Sequence, residues 1–318
     1  LCDWSSDVCS SDLARKVKNY GFGRIWPFTL LLFAQCAIVI TGGAVRLTGS
    51  GLGCPTWPEC TVGSYTPVPH QAQGQLHAWI EFGNRLLTFV LFLAAVVCLA
   101  ITIRRKIKGI YLDSAKSKKS IGLALGQVLG IFGQAILGGI TVLTNLNPIP
   151  VAGHFLLSII LISGAYSLRQ TQAGSFDLHL EVDQFFARLI KTMLFLTALV
   201  LVVGTVVTGS GPHAGDENAK RFNLDVRTIS WIHADLVIAL VAITFATWVF
   251  AKYQKKSLLS KNLLRVFALQ LSQGAIGYVQ YFTGVPELLV GFHMLGAVLV
   301  WLNTWAIFQR SQIKLRTL

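Results

Sequence analysis

Apolar residues run along this chain in long blocks rather than in alternation, and short basic or polar stretches separate the blocks. Eight blocks fall near 26–46, 78–103, 121–144, 150–168, 189–209, 229–251, 263–283 and 287–308. At about 1.5 Å rise per residue, a helix of about 20 such residues crosses a hydrocarbon core of about 30 Å. The pattern therefore predicts an all-α polytopic membrane protein with eight transmembrane helices. The opening residues, LCDWSSDVCSSDL, are polar, begin without Met and lack the basic-then-apolar order of a signal peptide. They resemble translated adapter sequence, so residues 1–20 are expected to be non-native or disordered and carry no weight in the fold.

Composition agrees with the pattern. The 318 residues are 53% hydrophobic and 13% charged, about half the charge of a soluble domain, which also excludes disorder. Six Cys in a chain of this length exclude a disulfide-dense scaffold. A net charge of +13 would suggest nucleic acid in a soluble protein, but its placement points elsewhere. Both tails and the connections on their side hold 22 of the 27 Lys and Arg, while only Arg46, Lys220, Arg221 and Arg227 lie opposite, with Arg85 inside a span. The positive-inside rule then places both termini in the cytoplasm, with the cell membrane as partner and no nucleic acid.

The chain repeats at half its length. Arg46-Leu-Thr48-Gly-Ser-Gly recurs as Val207-Thr208-Gly-Ser-Gly, Gln134-Ala-Ile-Leu-Gly as Gln273-Gly-Ala-Ile-Gly, and His154 maps onto His293 at the same offset of 139. This predicts two pseudo-symmetric four-helix bundles of the same orientation, 21–170 and 171–318, with a hydrophilic linker near 169–188. Gly122, Gly126 and Gly130, with Gly138 and Gly139 further along, form small-residue rows expected to serve helix packing. Exposed rows of this kind also favour homo-oligomers.

Ionisable residues inside a span are expensive and mark function by default. Here they are Glu81 and Arg85 in the second span, His154 in the fourth, His233 and Asp235 in the sixth and His293 in the eighth, with His77 at the mouth of the second. The three His of the even-numbered spans lie at matching depth near the outer surface. His233 and His293 come from two helices of one bundle, the arrangement that supplies both axial ligands of a heme; the alternative is a hydrogen bond from each to a helix carbonyl. The first bundle repeats His154 but places Asn84 where His233 would fall, leaving one iron face open. His77, Glu81 and Asn84 share one helical face, and Glu81 precedes Arg85 by four, the favourable order for an ion pair. That pair either belongs to a reaction surface or only fixes helix packing. In the first outside loop, Cys54 and Cys60 form a disulfide in an oxidising compartment, or else are two separate thiols.

Gly-Gly-Ala-Val-Arg46-Leu-Thr-Gly-Ser-Gly-Leu-Gly-Cys54 with Trp-Pro and Cys60, the segment Glu81-Phe-Gly-Asn84-Arg85, and His154, His233 and His293 together resemble the heme A synthase (CtaA) family over roughly 25–310. The resemblance implies an oxidoreductase that converts a ring methyl of heme O to the formyl group of heme A for terminal oxidase biogenesis. It further implies heme b on the iron ligands His233 and His293, a substrate heme O beside His154, Asn84, Arg85 and His77, Glu81 as the catalytic carboxylate, and a heme O synthase as partner. The electron donor stays unidentified. The family's second-helix motif reads Glu-x-x-His-Arg, and here Asn84 stands at the His position. Either Asn84 serves without ligating iron, or His77 substitutes for it. Arg46 meets a heme propionate or snorkels to the interface. The competing readings are a bis-His membrane cytochrome b in electron transfer and a transporter built of parallel repeats.

Overall fold

The computed structural model describes residues 25–71, 74–110, 114–173, 180 and 182–312; residues 1–20, set aside on sequence grounds, lie outside them. The described residues form eight long helices: α1 (Trp26–Leu47), α2 (Gln75–Ile107), α3 (Ser114–Leu143), α4 (Pro148–Ala173), α5 (Gln184–Ser210), α6 (Val226–Tyr253), α7 (Ser257–Phe282) and α8 (Glu287–Ser311). Each contains one of the expected apolar blocks. Seven are long and apolar enough to cross a membrane, which makes this a multi-pass membrane protein. The eighth, α7, has the length but falls short on composition, because Lys261, Arg265, Gln270, Gln273 and Gln280 interrupt it.

The helices begin where the sequence provides for their free N–H groups. Asp183 accepts from the Phe186 amide ahead of α5, Asp225 from the Thr228 amide ahead of α6, and Pro27 opens α1. The Asp225 carboxyl is held below the usual carboxylate range by its bonds to the Thr228 side chain and amide. Hydroxyls within the apolar stretches return their protons to their own helix: Thr102, Ser163, Ser167, Thr197, Thr244 and Thr304 each bond the carbonyl four residues back. No hydroxyl of that set is left unpaired in lipid.

Among α1–α4, α1 packs on α2 and α4, and α3 on α2 and α4; among α5–α8, α5 packs on α6 and α8, and α7 on α6 and α8. The two sets meet along α1, α4, α5 and α8, where Val39, Ile159, Ile162, Leu201, Val298 and Trp301 form a shared core. Two tryptophans cross this seam: Trp301 Nε1 donates to Ser163 Oγ at 2.8 Å and Trp305 Nε1 to Ser167 Oγ at 3.2 Å. Lipid tails are as apolar as the core, so packing and such interhelical bonds hold the sets together. Within the first set, Gln35 donates to Gln127 at 2.9 Å, and Gln127 donates on to the Leu161 carbonyl at 3.0 Å, tying α1, α3 and α4 together. Gln127 fits because residue 164 is Gly: a Cβ there would meet its Nε2 at 2.7 Å.

The stretch read as a linker is helical at both ends. Residues 169–173 end α4 and 184–188 begin α5, while Leu180, between them, is buried and joins the core of the second set. The small-residue row is corrected as well. Of Gly122, Gly126 and Gly130, only Gly130 meets a neighbouring helix closely, at Leu161; nothing lies within 4 Å of a Cβ built at the other two.

Candidate functional site

Two packed cores occupy the same end of the molecule. One comprises Phe28 and Leu31 early in α1, Leu91, Ala95 and Cys98 late in α2, Ala124 and Ile131 in α3, and Leu161, Ala165 and Leu168 late in α4. The other is built from the equivalent ends of α5–α8. Toward the opposite end, the even-numbered helices each carry a stretch with no buried residue: 82–90, 149–157, 226–239 and 287–295. Asn84, His154, His233 and His293 lie in those four stretches. The layer deduced from sequence is thus a level where these helices bring side chains inward without close packing.

Each member of the layer faces a glycine on the preceding helix. A Cβ at Gly138 would lie 3.3 Å from His154 Cε1, at Gly204 3.2 Å from His233 Cε1, at Gly277 3.7 Å from His293 Cε1, and at Gly42 3.8 Å from Asn84 Nδ2. The same device occurs at all four junctions, α1/α2, α3/α4, α5/α6 and α7/α8, which sets Asn84 in the place a histidine takes elsewhere. The three imidazoles are half-buried, and Nδ1 of each is buried with no hydrogen bond among the described residues. Asp235, on the same helix as His233, is exposed.

Near the N-terminal end of α2, Glu81 is 6% exposed and both its oxygens are engaged. Oε1 accepts from Arg85 Nη2 at 2.7 Å and Nε at 3.2 Å, and Oε2 accepts from the Cys54 amide at 2.7 Å. Arg85 also donates to the carbonyls of Cys54, Thr56 and Glu59. The ion pair expected from the spacing therefore exists and holds the loop between α1 and α2. That loop is closed by Cys54 and Cys60, whose sulfurs are at bonding distance. Its Gly53 lies so close to the start of α2 that a Cβ would meet the His77 carbonyl at 2.4 Å, and its Trp57 ring rests on α3 at Gly139, beside the glycine that faces His154.

The structure does not bring His77 to this layer. Its Nδ1 is hydrogen-bonded to Ser50 Oγ at 2.8 Å, and it lines a cavity of about 290 Å³ at the mouth with Thr48, Asp216, Glu217 and Asn218. Arg46 is engaged with backbone carbonyls: Nε donates to the His213 carbonyl at 2.5 Å and Nη2 to the Thr208 carbonyl at 3.0 Å, so it satisfies a C-terminal carbonyl of α5 and clamps the loop between α5 and α6 to α1. His213 in turn bonds the Val285 carbonyl between α7 and α8 at 2.7 Å. Sequence reasoning missed the four glycines; their signal was the recurrence of Gly138 and Gly277, each sixteen residues before a histidine.

Imidazoles with a buried Nδ1 left unbonded among the described residues, at one level of paired membrane helices, define a class: a multi-pass helical protein with a histidine-lined layer near one surface. Residues 24–305 match the COX15-CtaA family, described as cytochrome oxidase assembly protein, and the chain belongs to it. It is similar to the heme A synthase of Listeria welshimeri, at 26% identity over 83% of this chain and 87% of the relative, and to that of Nitrosomonas eutropha, at 22% over 86% and 90%. The heme A synthase of Lysinibacillus sphaericus is 29% identical over 43% of this chain. That match spans 40% of the relative's length, and those to the Geobacillus enzymes span 30%.

Proposed function

We propose that this protein is a heme A synthase, an oxidoreductase that takes the ring methyl of heme O through the alcohol to the aldehyde of heme A in the cell membrane, with both termini cytoplasmic. The observation that carries this reading is the layer of unpartnered Nδ1 atoms at His154, His233 and His293, each imidazole seated on a glycine and set in a helix stretch without buried side chains. Helices of this kind accept a flat macrocycle between them, and neutral imidazole is both the ligating form and the form least costly in lipid. The donor set fits heme.

On this reading the chain is two pseudo-symmetric four-helix bundles, 21–170 handling the substrate heme and 171–318 holding heme b on His233 and His293. Heme b would supply one-electron transfer when bound; each two-electron oxidation of the methyl draws on an external oxidant, with an electron donor needed where that oxidant is dioxygen. The protein's own residues position and exclude. His154 holds the substrate heme, while Glu81, its carboxylate fixed by Arg85 and the Cys54 amide, moves a proton at the edge of the substrate during oxidation or loss of water. The first outer loop, anchored through Glu81 and Arg85, covers that end of α2 and keeps bulk water out. A heme O synthase supplies the substrate, and a homo-oligomer is the expected assembly. A bis-His electron-transfer cytochrome would account for His233 and His293 but gives the carboxylate of the first bundle only the structural task of holding its loop.

The test is heme content and type in the purified protein. His233→Ala and His293→Ala should each lose the low-spin b-type spectrum, and His154→Ala should retain it. A spectrum indifferent to all three substitutions would overturn the assignment.

A further inference from the structure

Asn84 is the member of the layer without an imidazole, and its amide is oriented. Thr41 Oγ1 lies 2.8 Å from its Oδ1 and 3.2 Å from the Ile38 carbonyl, the two acceptors open to its single proton; Nδ2 lies beside Gly42, 3.8 Å from a Cβ built there, with no hydrogen bond to it among the described residues. The neighbouring imidazole on α2 does not compensate. His77 lies seven residues earlier, about 10 Å along the helix, and is bonded to Ser50 at the outer mouth. An amide nitrogen, its lone pair delocalised into the carbonyl, is a poor iron ligand and a good hydrogen-bond donor.

We propose that the heme site of the N-terminal bundle has His154 as its one protein ligand, and that Asn84 Nδ2 is a donor to a small anionic or diatomic ligand bound on the open side. The inference rests on the heme reading above. The two halves then differ by design: His233 and His293 close the C-terminal site, whereas the Gly42–Asn84 junction leaves the N-terminal site open and polar. In a low-dielectric interior a neutral donor aimed at a bound anion is worth more than it would be in water, and an inward N–H without a partner is relieved when such a ligand arrives. Asn84 is a specificity residue for what binds opposite His154, and Thr41 is the positioning residue that sets its amide.

The experiment uses the full chain, loaded with heme in the membrane and purified, with cyanide on the ferric protein and carbon monoxide on the reduced protein as probes. Heme is counted per chain first. Wild type should carry two hemes, one of them high-spin and able to bind each probe. Asn84→His should convert that heme to low-spin and abolish carbon monoxide binding. Asn84→Leu should leave it high-spin but weaken cyanide binding about tenfold or more, the loss expected for one hydrogen bond to a charged partner. Thr41→Val should fall between Asn84→Leu and wild type.

Equal cyanide affinity in wild type and Asn84→Leu would overturn the donor role, and so exclude an inward N–H. Carbon monoxide binding that survives Asn84→His, or two hemes both low-spin and closed in wild type, would overturn the open site while leaving the heme reading intact. A chain carrying heme only in its C-terminal half would overturn both, and the heme count separates that result from the others.

Discussion

The Cys54 amide donates to Glu81 Oε2 at 2.7 Å, so the loop closed by Cys54 and Cys60 and the carboxylate on α2 are one unit. Glu81 cannot move without breaking that bond or its pairing with Arg85. A buried carboxylate held at both oxygens is a fixed group, suited to acting at one place on a bound substrate.

Glu81→Ala removes the acceptor of both the Cys54 amide and Arg85. Heme A formation should fall by about 100-fold or more, the range for loss of a general acid or base, while the b-type heme stays at its wild-type amount. Glu81→Gln keeps an acceptor for Cys54 and should lose activity with little change in the loop. Product analysis and heme quantitation on the same preparations check this; parallel loss of both hemes in Glu81→Ala would assign the pair to structure alone.

Cys60→Ser opens a cross-link between residues six apart in sequence. Short loops of this kind are stabilised by about 2 kcal/mol on the chain-entropy account. Limited proteolysis of the purified protein should then cut within 54–71 faster than in wild type, and heme A formation should drop because Glu81 loses a fixed partner.

Gly204→Val tests the seat of His233. A Cβ at 204 already lies 3.2 Å from the imidazole, and two further methyl groups push the ring past the ~0.5 Å tolerance of a preorganised site. The low-spin spectrum should be lost. Gly42→Ala places its Cβ in ordinary contact with Asn84, 3.8 Å away, and should leave that spectrum unchanged.

Arg46→Ala removes two charged hydrogen bonds to the Thr208 and His213 carbonyls. Each such bond contributes about 1.5–3 kcal/mol, so the melting temperature in detergent should fall by several degrees. Arg46→Lys should not restore it, because an ammonium does not reproduce the fork that spans the two carbonyls.

The helices were legible because each is a block of apolar residues long enough to cross a bilayer, and such a block has one comfortable conformation in lipid. The depth of His154, His233 and His293 followed from counting inward from the block ends. What faces them did not. Gly138 read as part of a packing row, and only its placement opposite His154 shows its use. Arg46 and the Gln35–Gln127 pair were opaque for a related reason: their partners are 92 to 167 residues away in sequence and are backbone carbonyls or a neutral amide, which leave no charge pattern to read. Within one helix the Glu81–Arg85 pair was plain from its spacing, but the Cys54 amide that completes it came only from the fold.

On the proposed function the chain makes heme A, and mass analysis of the hemes extracted from protein co-expressed with a heme O source, comparing wild type with His154→Ala, tests this. Heme A in wild type and its absence from the variant, with heme b in both, is the predicted result; heme b alone in both would contradict the account.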